Sequence, residues 1–352
     1  MNGSLIKRIS SAIKVTNIIS EKIDSTILIA GAGQVGSRYL QGMANCQNTL
    51  DIYVYDVSEQ SLQLAKKRWE QVFHTVSPSH HGGATDSAVQ HKVTFSPSFE
   101  KIPKKIDIAV VATNADVRPL VTKQIVTTCK VKFWILEKVL AQSEVALDEI
   151  ASLTQGSVGS WVNIPRRMMV WHHQIREKLR SEIPLYITVS GNLWGLASNG
   201  IHHLDLVEWW TGEKLSSINV SELDSQWIES KRKGFFEITG KITADYSGGT
   251  RLTLESKLDG TPYTIKVEGQ NNILEIDEAK GVASGTGGVM ITGKIEMQSK
   301  ITSKLVTDLL VDKNCDLPKL SESVEIHRIF LRSLLEHWNN VHSTNVDTLP
   351  IT

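Results

Sequence analysis

Short, nearly continuous apolar runs alternate with segments of helical spacing through the first half of the chain. Residues 27–30, 52–55, 106–113, 133–136 and 160–163 are such runs, and residues 93–95 form a shorter one. Runs of this kind are typical of parallel strands buried on both faces. Between them, residues 59–73 and 118–128 have the spacing of helices. The alternation predicts an α/β domain over residues 25–163, a doubly wound parallel sheet.

Beyond residue 163 the rhythm changes. Residues 166–181 and 199–211 read as helices, the second stopped by Gly212, with a strand over 185–191 between them. Strand-like runs then recur over 216–223, 234–246, 250–258, 263–267 and 273–276, with Gly248-Gly249 and Asp259-Gly260 as hairpin turns. A last helix over 319–342 carries Leu320, Val324, Ile329, Phe330, Leu334, Leu335 and Trp338 on one stripe. Residues 164–352 are therefore expected to be α+β, helices on a mostly antiparallel open sheet. Residues 1–24 mix polar and apolar positions without the continuous apolar core of a secretion signal, and read as a helical extension.

Composition narrows the function classes. The 352 residues include 38 basic and 38 acidic side chains, so the basic excess expected of a nucleic-acid binder is absent. No apolar run approaches the roughly 20 residues that span a bilayer. Cys46, Cys129 and Cys315 have neither metal-ligand nor disulfide spacing, which suits a reducing cytoplasm. His74, His80, His81 and His91 cluster in a Ser/Gly-rich segment without a carboxylate or cysteine pattern, and read as part of a solvated loop and not as a metal site.

The first apolar run leads into Gly31-Ala32-Gly33-Gln34-Val35-Gly36. In a dinucleotide-binding turn, Gly31 makes the tight turn and Gly33 admits the pyrophosphate to bare backbone. Gly36 brings the next helix close to the sheet. Asp56 ends the second run, about 20 residues on, where an acid receives the ribose hydroxyls of NAD. Its charge argues for NAD over NADP, although Ser58, Lys66 or Arg68 could receive a 2′-phosphate. Ala112, Thr113 and Asn114, followed by Arg118, stand at the carboxyl end of a buried strand, the edge where open α/β sheets bind ligands.

Glu137-Lys138 closes another such strand. A lysine there can polarise a substrate oxygen or move its proton, or it can be a surface lysine paired to a glutamate. In Trp194-Gly195-Leu196-Ala197-Ser198-Asn199-Gly200-Ile201-His202-His203, helical spacing puts Asn199, His202 and His203 on one face, with Ser198 one turn before His202. A histidine here can take an alcohol proton or simply fill the core. His-His-x-Asp directs its side chains apart, which disfavours a metal.

The glycine turn, Asp56, Ala112-Thr113-Asn114, Glu137-Lys138 and Gly200-Ile201-His202-x-x-Asp205, in this order, resemble the glucose–fructose oxidoreductase / inositol dehydrogenase (Gfo/Idh/MocA) family from about residue 25 to the C-terminus. The closer pattern resembles members associated with surface-polysaccharide and sugar-nucleotide biosynthesis. The resemblance implies an NAD(P)-dependent oxidoreductase acting on a sugar or nucleotide-sugar, with Lys138 and His202 as the catalytic pair. It places Gly31, Gly33, Gln34, Val35, Gly36, Asp56, Ala112, Thr113, Asn114, Arg118, Glu137 and Lys138 at the cofactor. Asn163, Arg166, Arg167, Trp194, Ser198, Asn199, His202 and His203 fall at the substrate; the forks of Arg166 and Arg167 suit clamping an anionic group, or the two are solvent-exposed arginines at a helix start. It also implies a homodimer or homotetramer built on the broad sheet. Two positions depart from the pattern. Val139 replaces a proline, and Ser198 stands where many members have aspartate. The second departure supports an alternative, a catalytically silent NAD(P)-binding sensor or scaffold.

Overall fold

The computed structural model describes residues 25–76 and 91–352. The helical extension expected over 1–24, and the greater part of the histidine-containing loop, lie outside the described residues.

Six strands make the first sheet: β1 (Ser25–Ala30), β2 (Leu50–Tyr55), β3 (Lys92–Ser96), β4 (Lys105–Val111), β5 (Lys130–Leu136) and β6 (Gly159–Val162). Every pairing is parallel and the order is β3-β2-β1-β4-β5-β6. This is the Rossmann order, with its switch point between β1 and β4. Ile27–Ala30 of β1 and Ile108–Val111 of β4 have essentially no exposed surface, which is why these strands read as unbroken apolar runs. Helices α1 (Gln34–Met43), α2 (Glu59–Val76), α3 (Arg118–Thr128) and α4 (Glu144–Thr154) connect them. Ser143 caps α4, its Oγ accepting from Ala146 N at 3.2 Å.

The remaining chain contributes α5 (Val170–Leu179), β7 (Tyr186–Asn192), α6 (Leu196–Thr211), β8 (Leu215–Leu223), β9 (Ile228–Glu229), β10 (Phe236–Glu237), β11 (Gly240–Tyr246), β12 (Arg251–Lys257), β13 (Thr264–Glu268), β14 (Ile273–Asp277), β15 (Val282–Gly285), β16 (Val289–Thr292), α7 (Gln298–Val311) and α8 (Leu320–His342). Eight of these strands form the sheet β16-β15-β14-β13-β7-β12-β11-β8, antiparallel except for β7 beside β12. The fold is thus a Rossmann sheet followed by helices on a mostly antiparallel open sheet. Helix α6, with Leu196, Ala197, Ile201, Leu204 and Val207 buried, packs between β12 and α8.

Strands β9, β15 and β16 have no counterpart in the sequence expectation, and three further stretches differ from it. The run over 234–246 is broken into β10 and β11, because Gly240 adopts φ +100° where its α-carbon lies against the backbone of residues 222–224. Residues 166–181 divide into a short 3-10 turn, Pro165–Met168, and α5. Helix α7 has no counterpart in the sequence expectation. Its buried Ile301, Leu305, Val306 and Leu309 share a core with Tyr39, Leu40 and Met43 of α1, so it crosses back onto the first sheet.

Candidate active site

The glycine turn after β1 is shaped by contacts that only hydrogen allows. Gly31 has φ +100°, and a Cβ there would lie 2.8 Å from the Ala112 carbonyl carbon. A Cβ on Gly36 would fall 1.8 Å from Gly31 O, so α1 can begin against the turn only with glycine at this position. Gly33 is different: nothing lies within 4 Å of its Cβ position. That open side adjoins the first turn of α1, whose N–H groups lack intrahelical acceptors and whose dipole favours an anion. A glycine cradle open on the side of the helix N-terminus fits a dinucleotide pyrophosphate.

Asp56 stands beside this cradle, at the end of β2. Its Oδ2 accepts from Ala32 N at 2.7 Å and its Oδ1 from Ser58 N at 2.8 Å. A carboxylate has about four lone-pair positions, so two remain for ribose hydroxyls. Arg68 of α2 is directed elsewhere, donating to Gln34 Oε1 at 2.9 Å and Ser37 Oγ at 3.1 Å. A cavity of about 220 Å³ continues from Gly33, Gln34 and Val35 past Ala112, Thr113 and Asn114 to Glu137 and Lys138, bordered also by Arg118, Arg232 and Thr352.

Lys138 leaves the end of β5 and reaches α6. Its Nζ donates to Asn199 Oδ1 at 3.0 Å and to Ser198 O at 3.1 Å. Burial lowers its pKa to about 8; Glu137 and Glu237 oppose the shift, while Arg232 and Arg118 add to it. The Lys138–Val139 peptide is cis, although residue 139 is not proline.

Three residues expected at ligands make hydrogen bonds inside the protein, although Asn163 Oδ1 and Arg118 Nε have no partner among the described residues. Glu137 Oε1 accepts from Tyr39 Oη at 2.9 Å and Asn163 Nδ2 at 2.7 Å, and burial raises its pKa. Asn163 Nδ2 also donates to Gln298 Oε1 at 2.8 Å, which ties β6 to α7. Arg118, lowered to about 10 by burial, donates to the carbonyls of Thr113, Val139 and Leu140. The reason is common to all three: a buried charge or amide is costly without partners. Glu137 and Arg118 border the cavity while holding its strand ends in place.

Helix α6 begins after Gly195, in the left-handed region at φ +80°. Asn199 Nδ2 donates to Trp194 O at 2.9 Å, which fixes the amide whose oxygen receives Lys138. The N–H groups of Ala197 and Ser198 donate to Glu237 Oε2 at 2.9 and 3.3 Å. Glu237, from β10, joins the residues expected from the sequence. It brings a carboxylate to the first turn of α6, beside Ser198, and burial raises its pKa. Nothing local marks it, because its partner amides lie 39 and 40 residues earlier.

The two histidines part company. His202 stays on the Lys138 side, with Nδ1 buried and without a hydrogen-bond partner among the described residues. Burial, then the charges of Lys138 and Arg166, hold its pKa well below the ordinary imidazole range. His203 faces the second sheet, with Nε2 2.8 Å from Tyr263 Oη, and burial lowers its pKa to about 3. The shared face expected for Asn199, His202 and His203 does not form, because adjacent helical residues point about 100° apart. Trp194 meets His203 edge-on at 5.5 Å and donates from Nε1 to Glu255 O at 2.8 Å.

The free anion clamp expected of Arg166 and Arg167 is also absent. Arg166 grips Glu278 through Nε and Nη2, both at 2.7 Å. Arg167 grips Asp205 at 2.9 and 2.7 Å and also reaches Glu322 at 3.3 Å. Burial disfavours the Glu278 charge, but Arg166 outweighs it and holds the carboxyl well below its usual range. Burial raises Asp205 to about 6 despite Arg167. Buried guanidinium groups need such partners, and the bidentate geometry leaves neither fork free.

No family model and no curated protein matches the chain. Solved structures do. The UDP-N-acetylglucosamine 3-dehydrogenase GnnA of Acidithiobacillus ferrooxidans superposes with TM-score 0.65 at 10% identity, over 89% of this chain and 97% of that one. The scyllo-inositol dehydrogenase of Lactobacillus casei, solved with NAD(H) and scyllo-inositol, gives 0.61 at 14% identity, over 89% and 96%. A biliverdin reductase of Synechocystis sp. PCC 6803, solved with biliverdin and NADP+, gives 0.66 at 12%, over 88% and 98%. The strand order and the second sheet agree with these likenesses, and the chain has the fold of the glucose–fructose oxidoreductase / inositol dehydrogenase family.

Proposed function

We propose that this chain is an NAD(P)-dependent oxidoreductase that moves a hydride between nicotinamide and a sugar or nucleotide-sugar carbon. The observation that carries the reading is the juxtaposition, at the carboxyl edge of the Rossmann sheet, of Lys138 held by Asn199 with His202, whose Nδ1 has no partner among the described residues. Gly31, Gly33, Gly36 and Asp56 would hold the dinucleotide, with NAD preferred because a 2′-phosphate would meet the Asp56 charge. The bound cofactor supplies or accepts the hydride. His202, neutral at physiological pH, takes the hydroxyl proton in the oxidising direction, and the Lys138 ammonium polarises the same oxygen. Trp194 and His203 form the wall on the second-sheet side. A sugar or nucleotide-sugar substrate is supported by the dehydrogenases of similar fold, and the link to polysaccharide biosynthesis by the GnnA likeness alone. The free, buried cysteines suit a cytoplasmic protein, and the eight-stranded sheet offers a face for a dimer or tetramer.

The test is a panel of sugars and nucleotide-sugars with NAD and NADP, followed by the fluorescence of reduced nicotinamide. Turnover of at least one substrate, faster with NAD, is expected. Tight NADH binding with no turnover across the panel favours the silent sensor that Ser198 suggests. Absence of binding overturns both readings.

A further inference from the structure

The β9–β10 hairpin ends in Lys231-Arg232-Lys233-Gly234. Its tip is a defined structure. Arg232 N donates to Ser230 Oγ at 3.1 Å, Arg232 O accepts from Phe235 N at 3.1 Å, and Gly234 N donates to Glu229 Oε1 at 2.9 Å. The hairpin is anchored below the tip. Phe236 N donates to Pro350 O at 2.8 Å, the Phe236 ring lies 5.2 Å from Trp338 of α8, and Glu237 accepts the first amides of α6. The arm is thus fixed to the helices that carry the site, and it presents a run of three cations.

Of these three, Arg232 alone borders the cavity that begins at Gly33, Gln34 and Val35. Its guanidinium has no carboxylate partner among the described residues, unlike Arg166 and Arg167. Lys138 and Arg118 border the same cavity, and both feel the Arg232 charge. The one acidic side chain among those lining it, Glu137, is already bonded by Tyr39 and Asn163. The cavity therefore has an excess of positive charge beside a helix N-terminus, an arrangement that calls for an anion. Its volume of about 220 Å³ is below the roughly 300–1,000 Å³ of pockets that enclose whole ligands, and suits the centre of a dinucleotide.

We infer that Arg232 is a cofactor clamp, delivered from the second half of the chain to pair with the dinucleotide pyrophosphate opposite the glycine turn. This rests on the oxidoreductase reading. The hairpin gives the cofactor a charged contact additional to the Rossmann turn, and it couples cofactor binding to the element that caps the catalytic helix.

The test is titration of wild type, Arg232→Ala, Arg232→Lys and Lys233→Ala with NADH, ADP-ribose and adenosine, followed by fluorescence or calorimetry at low and raised salt. A charge-assisted contact predicts roughly 10- to 100-fold weaker NADH and ADP-ribose binding in Arg232→Ala. It also predicts a shallower salt dependence and unchanged adenosine binding. Arg232→Lys should recover part of the loss, and Lys233→Ala should bind as wild type, which controls for the fold of the tip. Equal affinity of Arg232→Ala and wild type for NADH and ADP-ribose overturns the clamp. So does a loss confined to the binding of an anionic substrate, which would assign Arg232 to that ligand. Failure of wild type to bind NADH overturns the oxidoreductase reading itself.

Discussion

Lys138 Nζ donates a 3.0 Å hydrogen bond to the side-chain Oδ1 of Asn199, joining the end of β5 to the first turn of α6. The two residues are 61 apart in sequence, and the bond directs the lysine into the cleft between the sheets. Replacing the amide with a carboxylate strengthens the ammonium form. Asn199→Asp is therefore expected to move the Lys138 titration to higher pH, while Asn199→Ala loosens the lysine and lowers kcat. Rate profiles of the two variants check this, and identical alkaline limbs in Asn199→Asp and wild type would count against the contact.

The pH dependence of the wild type follows from two groups. Lys138 titrates at about 8, and His202 well below the ordinary imidazole range. If the ammonium polarises the substrate oxygen, its protonated form is required, so kcat/KM falls as pH rises through about 8. The neutral imidazole is present across the neutral range, so the profile stays flat below that limb. A rate that rises through pH 8 would make Lys138 the proton acceptor.

Glu237 acts on the same group from behind α6. Its charge raises the Lys138 pKa and its oxygen caps the helix. Glu237→Gln keeps an acceptor but removes the charge, and should shift the alkaline limb to lower pH with little change in stability. Glu237→Ala also removes the cap, and is expected to cost about 1 kcal/mol in denaturant unfolding.

The Arg167–Asp205 pair is a stability device in this structure. Asp205 is fully buried, and truncating it leaves the Arg167 guanidinium in the interior with the more exposed Glu322, at 3.3 Å, as its remaining carboxylate. Asp205→Ala should destabilise the protein by roughly 3–5 kcal/mol in urea unfolding, and the double variant Arg167→Met/Asp205→Leu should recover most of the loss. Equal stability of the single variant and wild type would show that water reaches the site.

How much was legible in sequence depended on whether the cause was local. The glycine turn, Asp56 and the buried strands β4 and β5 were readable because parallel strands and tight turns impose their demands on neighbouring residues. Helix α3 spans Arg118–Thr128, the segment whose spacing predicts it. By contrast, Arg166 and Arg167 read as free clamps because Glu278 and Asp205, which neutralise them, lie 112 and 38 residues away. Asn163 and Arg118 read as ligand contacts for the same reason, since the carboxylate and carbonyls that hold them are set by tertiary packing. Glu237 and Arg232 carry no local signal, because they are brought to the cleft by a hairpin that is separated from β11 at Gly240, where the chain meets residues 222–224. Helix α7 has an ordinary apolar pattern, and nothing within it says that it returns to α1.

Lys138 and His202 are proposed to handle the proton while the Rossmann cleft holds the cofactor. The most direct measurement is the turnover of Lys138→Ala and His202→Ala on the best substrate of the panel, alongside NADH titration of each. Loss of about 100- to 10,000-fold in kcat with NADH binding retained is the expected result. Turnover near the wild-type rate in both variants would rule out both residues as handlers of the proton.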